Sequence, residues 1–127
     1  MRKQLRDDRG SAAVEFALVA PLLIGLALVV VQVALALHVR TTLTAAAAEG
    51  SRAAAMADSS ARVGEQRTRA VLLGNVAESV IESVEVATTV ERGISYSEVT
   101  IYARLPLIGL FGPVAMSIHG RSIQEHV

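Results

Sequence analysis

The chain contains no cysteine, and aromatic residues make up only 3% of its 127 positions. The absence of cysteine excludes disulfide bonds, thiol catalysis and cysteine-ligated metal sites. So few aromatic side chains, with a net charge of zero and no basic patch, argue against a nucleic-acid partner. The three histidines, His38, His119 and His126, lack metal-ligand spacing, and no phosphate-binding glycine loop or catalytic triad is present. We therefore expect a protein that is not an enzyme and has no cofactor or metal.

Charge is also missing locally, because no Asp, Glu, Lys or Arg occurs in the 22 residues from Phe16 to Leu37. At about 1.5 Å per residue these positions form a helix of roughly 33 Å, enough to cross a bilayer core of about 30 Å. Pro21, Gly25 and Gln32 interrupt the apolar pattern, and membrane helices tolerate such residues. The sequence thus predicts a membrane span over about residues 16–37, with a loosened turn or kink near Pro21.

Basic residues are distributed unevenly around this predicted span. Four of them precede it, and Arg40 is the only one that follows closely. Positive charge near a span marks its cytoplasmic end. We therefore predict a single-pass protein of the cytoplasmic (inner) membrane with its N-terminus in the cytoplasm and its C-terminal part outside. The topology determinants are Arg2, Lys3, Arg6 and Arg9.

A short motif stands immediately before the span, with Gly10 and Ser11 followed by the carboxylate of Glu15. An unpaired carboxylate at the edge of hydrocarbon is costly, and such residues are usually functional. Glycine offers the least steric bulk at a position that a peptidase must reach. The motif resembles that of type IV pilins, which a prepilin peptidase processes. The resemblance implies cleavage between Gly10 and Ser11, after which the new Ser11 amine pairs with Glu15 of its own or a neighbouring subunit.

Beyond the span the sequence predicts a small α+β structure. Residues 38–58 are alanine-rich and favour a helical stem, either a plain extension or a surface for packing against another helix. A second helix is expected over about residues 61–81, with Ser59 or Ser60 as its N-cap. Its apolar face is expected to contain Ala70, Leu73, Ala77, Val80 and Ile81.

After residue 82 the apolar residues recur at every second position, which predicts strands. Runs at 84–90 and 99–105, joined through Glu91–Gly93, form a predicted antiparallel hairpin, and 114–123 forms a third strand. The connection 106–113 is unusually apolar and caps the core, touches the outer leaflet or contacts a partner. The expected fold class is α+β and type IV pilin-like. It consists of a long N-terminal membrane-spanning helix continuing into a stem, a second helix and a small antiparallel sheet.

This layout is similar to that of the TadE-like minor pseudopilins of tight-adherence (Flp-type) pilus systems. The resemblance is carried by the run from Arg9 to Leu23, with Phe16 and Pro21 in its recognition motif, and by the runs at 48–54 and 105–107. It implies a leader at 1–10, a span and stem at 11–58, and an exported domain at 59–127. The implied partners are a prepilin peptidase, other pilins and pseudopilins of the same system, the pilus assembly platform and membrane lipid.

Two other functions stay open at the level of sequence. Ala34-Leu35-Ala36 has the small-x-small pattern of an ordinary signal-peptide cleavage site, so the chain could be a secreted or membrane-anchored protein cut near Ala36. It could also be a bitopic membrane protein of unrelated function. The N-terminal residue of the mature protein distinguishes the three, since Ser11, Leu37 or an intact leader is expected respectively.

Overall fold

The computed structural model describes residues 7–56, 58–106 and 112–125. In chain order it contains α1 (Asp7–Ala55), α2 (Ala61–Leu72), a short 3-10 helix (Glu78–Val80), β1 (Ile81–Glu91), β2 (Ile94–Pro106) and β3 (Pro113–Ile123). The strands form one antiparallel sheet in the order β1-β2-β3. The predicted fold class is confirmed. Most of the apolar connection between β2 and β3 lies outside the described residues, so the three roles considered for it stay predictions.

The chain divides into two compact units, one up to Leu35 and one from Ala36 onward. The first unit is the N-terminal part of α1, whose large apolar side chains are exposed throughout. Among the described residues one helix, Arg9–Ala55 within α1, is long and apolar enough to cross a membrane. None of its most apolar stretch is buried against the rest of the chain. These side chains therefore need an apolar environment outside this chain, such as lipid or another apolar helix.

In the second unit the C-terminal part of α1 joins α2 in covering one face of the sheet. The alanine-rich stem supplies much of this core, and its position there explains why small side chains recur. Small residues alternate with larger ones in this part of α1. The buried residues there are Val39, Leu43, Ala46, Ala47, Gly50, Ser51, Ala54 and Ala55. Of the two roles predicted for the stem, packing against a neighbouring helix is the one observed, and the neighbour is α2 of the same chain.

Glycine allows α1 to approach its neighbours at backbone distance. A Cβ atom on Gly64 of α2 would lie 2.6 Å from the Cβ of Ala54 and 3.0 Å from the carbonyl oxygen of Gly50. On β3, a Cβ on Gly120 would lie 2.9 Å from the Cβ of Ala47 and closer still to its backbone. Real Cβ atoms essentially never come closer than 3.0 Å to another atom, so the contacts with Ala54 and Ala47 require glycine at positions 64 and 120.

The second helix is shorter than predicted, because it ends at Leu72 and not near residue 81. The backbone leaves the helix at Leu73, where ψ is 125°. Gly74, with φ +84°, then forms a turn that the hydrogen bond from the Asn75 N–H to the Leu72 carbonyl closes at 3.1 Å.

The predicted apolar face does not exist as one helix face, since Ala70, Leu73 and Ala77 are exposed. Val80 and Ile81 do pack in the core, but they lie after the end of α2. The buried face consists of Gly64, Thr68 and Leu72. The close approach to α1 selects small residues there, and an apolar pattern does not detect them.

Ser60 occupies the N-cap position of α2, one of the two positions predicted, but its side chain makes no capping bond. Its carbonyl oxygen instead accepts hydrogen bonds from the N–H groups of Val63 and Gly64 at 3.0 and 3.3 Å. The cap therefore acts through the backbone alone.

The predicted hairpin is confirmed, with a two-residue turn at Arg92 and Gly93. Both have positive φ, 51° and 80°, as a type I′ turn requires, and Glu91 pairs with Ile94. In β2 the predicted alternation holds, and the inward-facing residues are Val99, Ile101, Ala103 and Leu105. Thr100 faces the other way yet is only 8% exposed. Its hydroxyl is hydrogen-bonded to Nδ1 of His119 at 3.0 Å.

We predict that Gly120→Ala lowers the stability of the second unit by about 1–3 kcal/mol, because the added methyl group overlaps the backbone of Ala47. Thermal unfolding of the full chain in detergent measures this as a drop of several degrees. Gly25→Ala is the control, since a Cβ there meets nothing within 4 Å. Equal melting temperatures for the two variants would show that α1 does not contact β3 this closely.

Candidate processing and subunit-pairing segment

The predicted processing residues lie in the first turns of α1. Gly10, Ser11, Glu15 and Phe16 are all helical and exposed, and Phe16 retains 74% of its accessible surface. Pro21 lies inside the same helix, which has no break there. Of the predicted topology determinants, Arg9 is described and exposed. The other three, Arg2, Lys3 and Arg6, lie outside the described residues.

The side chains of Ser11 and Glu15 meet on one face of the helix. The Ser11 hydroxyl Oγ donates a hydrogen bond to Oε1 of Glu15 at 3.3 Å. Residues four apart are neighbours on a helix surface, and side chains lean toward the helix N-terminus. The carboxylate therefore reaches back one turn to the residue that follows the predicted cleavage site. Sequence reasoning considered the future amine of Ser11 and did not consider its hydroxyl.

Packing among the described residues does not require a glycine at position 10. A Cβ there meets nothing within 4 Å, whereas a Cβ at Gly50, Gly64 or Gly120 would overlap a neighbour. A helix-interior glycine also costs about 1 kcal/mol relative to alanine. Packing within the described chain does not explain why a glycine stands at position 10. An interaction with another molecule would explain it.

Glu15 is electrostatically isolated along the chain. No other Asp, Glu, Lys or Arg occurs between Arg9 and Arg40. Its described neighbours on the following turns are exposed apolar residues such as Leu18, Val19 and Leu22. If this helix enters lipid or packs among other apolar helices, the carboxylate needs a positive partner from outside the segment.

A second polar cluster lies on the sheet, and sequence reasoning missed it. Arg121 of β3 donates from Nε and Nη2 to Glu98 at 3.2 and 3.0 Å, and from Nη1 to Glu91 at 3.1 Å. Its guanidinium also lies 5.2 Å from the ring centre of Tyr96. Hydrogen bonding to Glu98 and the charge of Glu91 raise the pKa of Arg121 above its usual value. The cross-strand pairing of Glu98 with Arg121 is the signal, and only the strand register reveals it.

We also searched the described residues for a metal site and for partners of His119. There, no group of three or more His, Asp or Glu side chains is placed to hold a metal ion. His119 has Thr100 and Glu98 as neighbours, with Nδ1 3.8 Å from Glu98 Oε1. The arrangement is a cross-strand polar network on an exposed surface.

Comparison with known families gives a match in the N-terminal part of the chain. The model of the family described as TadE-like protein matches residues 10–52, a range that begins at Gly10 and ends close to the end of α1. The predicted resemblance to TadE-like proteins is confirmed over that range. The match covers about a third of the chain, and the apolar part of α1 within it is long and apolar enough to serve as a membrane anchor. Neither the curated proteins nor the solved structures yield a match.

Proposed function

We propose that this chain, whose residues 10–52 are TadE-like, is a minor pseudopilin that takes part in assembling a tight-adherence type IV pilus. A prepilin peptidase removes residues 1–10 on the cytoplasmic side. The apolar part of α1 then anchors the mature chain in the cytoplasmic membrane, with the second unit outside. The chain acts through interactions with other pilins and the assembly platform, and has no catalytic role.

The observation that carries this proposal is the register of three features on one helix. A glycine with no packing role, Gly10, is followed by Ser11, whose side chain contacts Glu15, and the apolar stretch begins at the next residue. Helix formation alone does not require a glycine, a serine–glutamate contact and an apolar stretch in this order. A peptidase substrate that must neutralise its new N-terminus beside a membrane uses all three features.

The proposed maturation hydrolyses the Gly10–Ser11 peptide bond, leaving a carboxylate on the leader and an amine on Ser11. That amine is charged below a pKa of about 8. The Glu15 carboxylate already reaches back toward Ser11, so it is placed to compensate the new charge of its own chain or of an adjacent subunit. Pairing reduces the cost of holding both charges near lipid. The exposed apolar side chains beyond Glu15 then pack against other membrane helices.

Replacing Gly10 with leucine is expected to leave the leader attached, because side-chain bulk at the scissile position obstructs the peptidase. On a gel the precursor runs about 1 kDa above the mature chain, since ten residues weigh roughly 110 Da each. Gly25→Leu is the matched control, since the space around a Cβ is equally open there. N-terminal sequencing of the wild type should begin at Ser11. A start at Leu37 would support an ordinary signal peptide, and a mature-sized Gly10→Leu product would contradict the assignment.

The orientation is testable with reporters fused after Val127. A reporter that works only outside the cytoplasm is expected to be active, and one that works only inside is expected to be silent, because positive charge is concentrated before the span. A second pair of fusions after Arg9 provides the control with the opposite expectation. The reverse pattern would overturn both the orientation and the pseudopilin proposal.

Glu15→Ala is expected to be cleaved and inserted normally, since a neutral side chain is cheaper to place near lipid. Piliation should fall, because the Ser11 amine then lacks a negative partner. Glu15→Gln should be nearly as defective, because an amide supplies a hydrogen bond without charge. The measurements are processing on a gel and fibre counts in the same strains.

Ser11→Ala distinguishes the role of the Ser11 amine from that of the Ser11 hydroxyl. It removes the hydrogen bond to Glu15 and keeps the amine, so near-normal piliation is expected. Normal piliation in both Glu15 variants would reduce Glu15 to a solvated residue. A block at processing would instead make it a peptidase-recognition element.

A further inference from the structure

One face of the sheet is covered by α1 and α2, and the opposite face is open. We call this opposite face the outer sheet face. Cross-strand pairing sets Glu85 beside Thr100 and His119, and Ala87 beside Glu98 and Arg121. Both tyrosines of the chain, Tyr96 and Tyr102, lie on this face of β2. Tyrosine is enriched at protein interfaces because it combines a large apolar area with a polar end.

The outer sheet face carries an excess of negative charge. Four carboxylates, those of Glu82, Glu85, Glu91 and Glu98, are set against two arginines. Arg104 pairs with Glu82 at 2.9 Å, while Arg121 is shared between Glu91 and Glu98. Glu85 is exposed and has no ion pair within the described part of the chain.

The helical side of the same unit has the opposite balance. On α2, Arg67 bridges to Glu49 at 3.4 Å and Arg69 to Glu65 at 3.0 Å. Arg62 is exposed and makes no ion pair with any described residue. Val63, 43% exposed, adds an apolar contact on this surface. We call the exposed side of α2 the arginine surface.

We propose that the outer sheet face of one copy docks on the arginine surface of a second copy of this chain. The two surfaces lie on opposite sides of one unit and have complementary charge. The contact is therefore heterologous, and it can repeat from copy to copy in a filament or row. It rests on the proposed function only in requiring that the copies share one membrane orientation.

The available area is compatible with a weak contact between copies held in one membrane. Strands of eleven to thirteen residues give a face roughly 35 Å long and 14 Å wide, about 500 Å². The arginine surface is smaller, because the 12 residues of α2 give a strip roughly 18 Å long and 10 Å wide, about 200 Å². The contact therefore buries about 400 Å² in total, less than the roughly 1,000 Å² of a stable specific interface. Anchoring in one membrane raises the effective concentration of the two surfaces, so a contact of this modest size is sufficient.

Site-directed cross-linking tests the geometry, because the chain has no cysteine of its own. One full-length copy carries Ala87→Cys on the outer sheet face. A second, with a larger tag, carries Gln66→Cys on the arginine surface, and both positions are exposed. In membranes containing both copies, a short bis-maleimide is expected to give a dimer of mixed size. Ala87→Cys alone should give none, since a cross-link there indicates a symmetric sheet-to-sheet contact and overturns the proposal.

Charge reversal tests the complementarity in the same assay. Glu85→Arg in the first copy, or Arg62→Glu in the second, should reduce mixed cross-linking by about threefold or more, and the two together should restore it. Arg92→Glu and Glu125→Arg are matched controls, because both residues are exposed and lie outside the two surfaces.

Cross-linking to a different protein, absence of the mixed dimer, or indifference to charge would each overturn the proposal. The monomer band on the same gel reports whether the leader has been removed. Failure of the contact is thereby distinguished from failure of the proposed maturation.

Discussion

The core of the second unit can pack only because α1 closely approaches α2 and β3. Gly50 and Gly64 bring the two helices together at backbone distance, and Gly120 does the same between β3 and Ala47. Because no side chain separates these backbones, the flanking residues Leu43 and Leu72 are completely enclosed. Dispersion contacts, which weaken quickly with separation, are thereby gained along α2 and the C-terminal part of α1. Larger side chains at these points would lift α1 away from the core.

One helix consequently serves two environments. Up to about Leu35 its apolar side chains are exposed, and from Val39 onward its inner side is buried by its own chain. The first part needs lipid or other helices around it, while the second is satisfied within the protein. The C-terminal part of this helix is thus part of the core of the second unit.

Local patterns predicted much of this structure. The uncharged run before Leu37 predicted the long helix, period-two alternation predicted the inner residues of β2, and Gly93 marked the hairpin turn. In the candidate site, the spacing of Gly10, Ser11 and Glu15 was readable directly, since residues four apart on a helix are neighbours. Each of these signals depends on residues close in sequence, where backbone geometry alone sets the relation.

The sequence by itself determined the anchor, the candidate processing motif and the strands, because these depend on composition and short-range periodicity. Only the tertiary structure decided where α2 ends and which of its residues are buried. Thr68 and Gly64 are selected by the distance to α1, which no hydropathy pattern contains. The Arg121 cluster likewise requires the register of β2 against β3. Contacts between distant residues are set by how the elements pack, and the chemistry of each residue alone does not specify that packing.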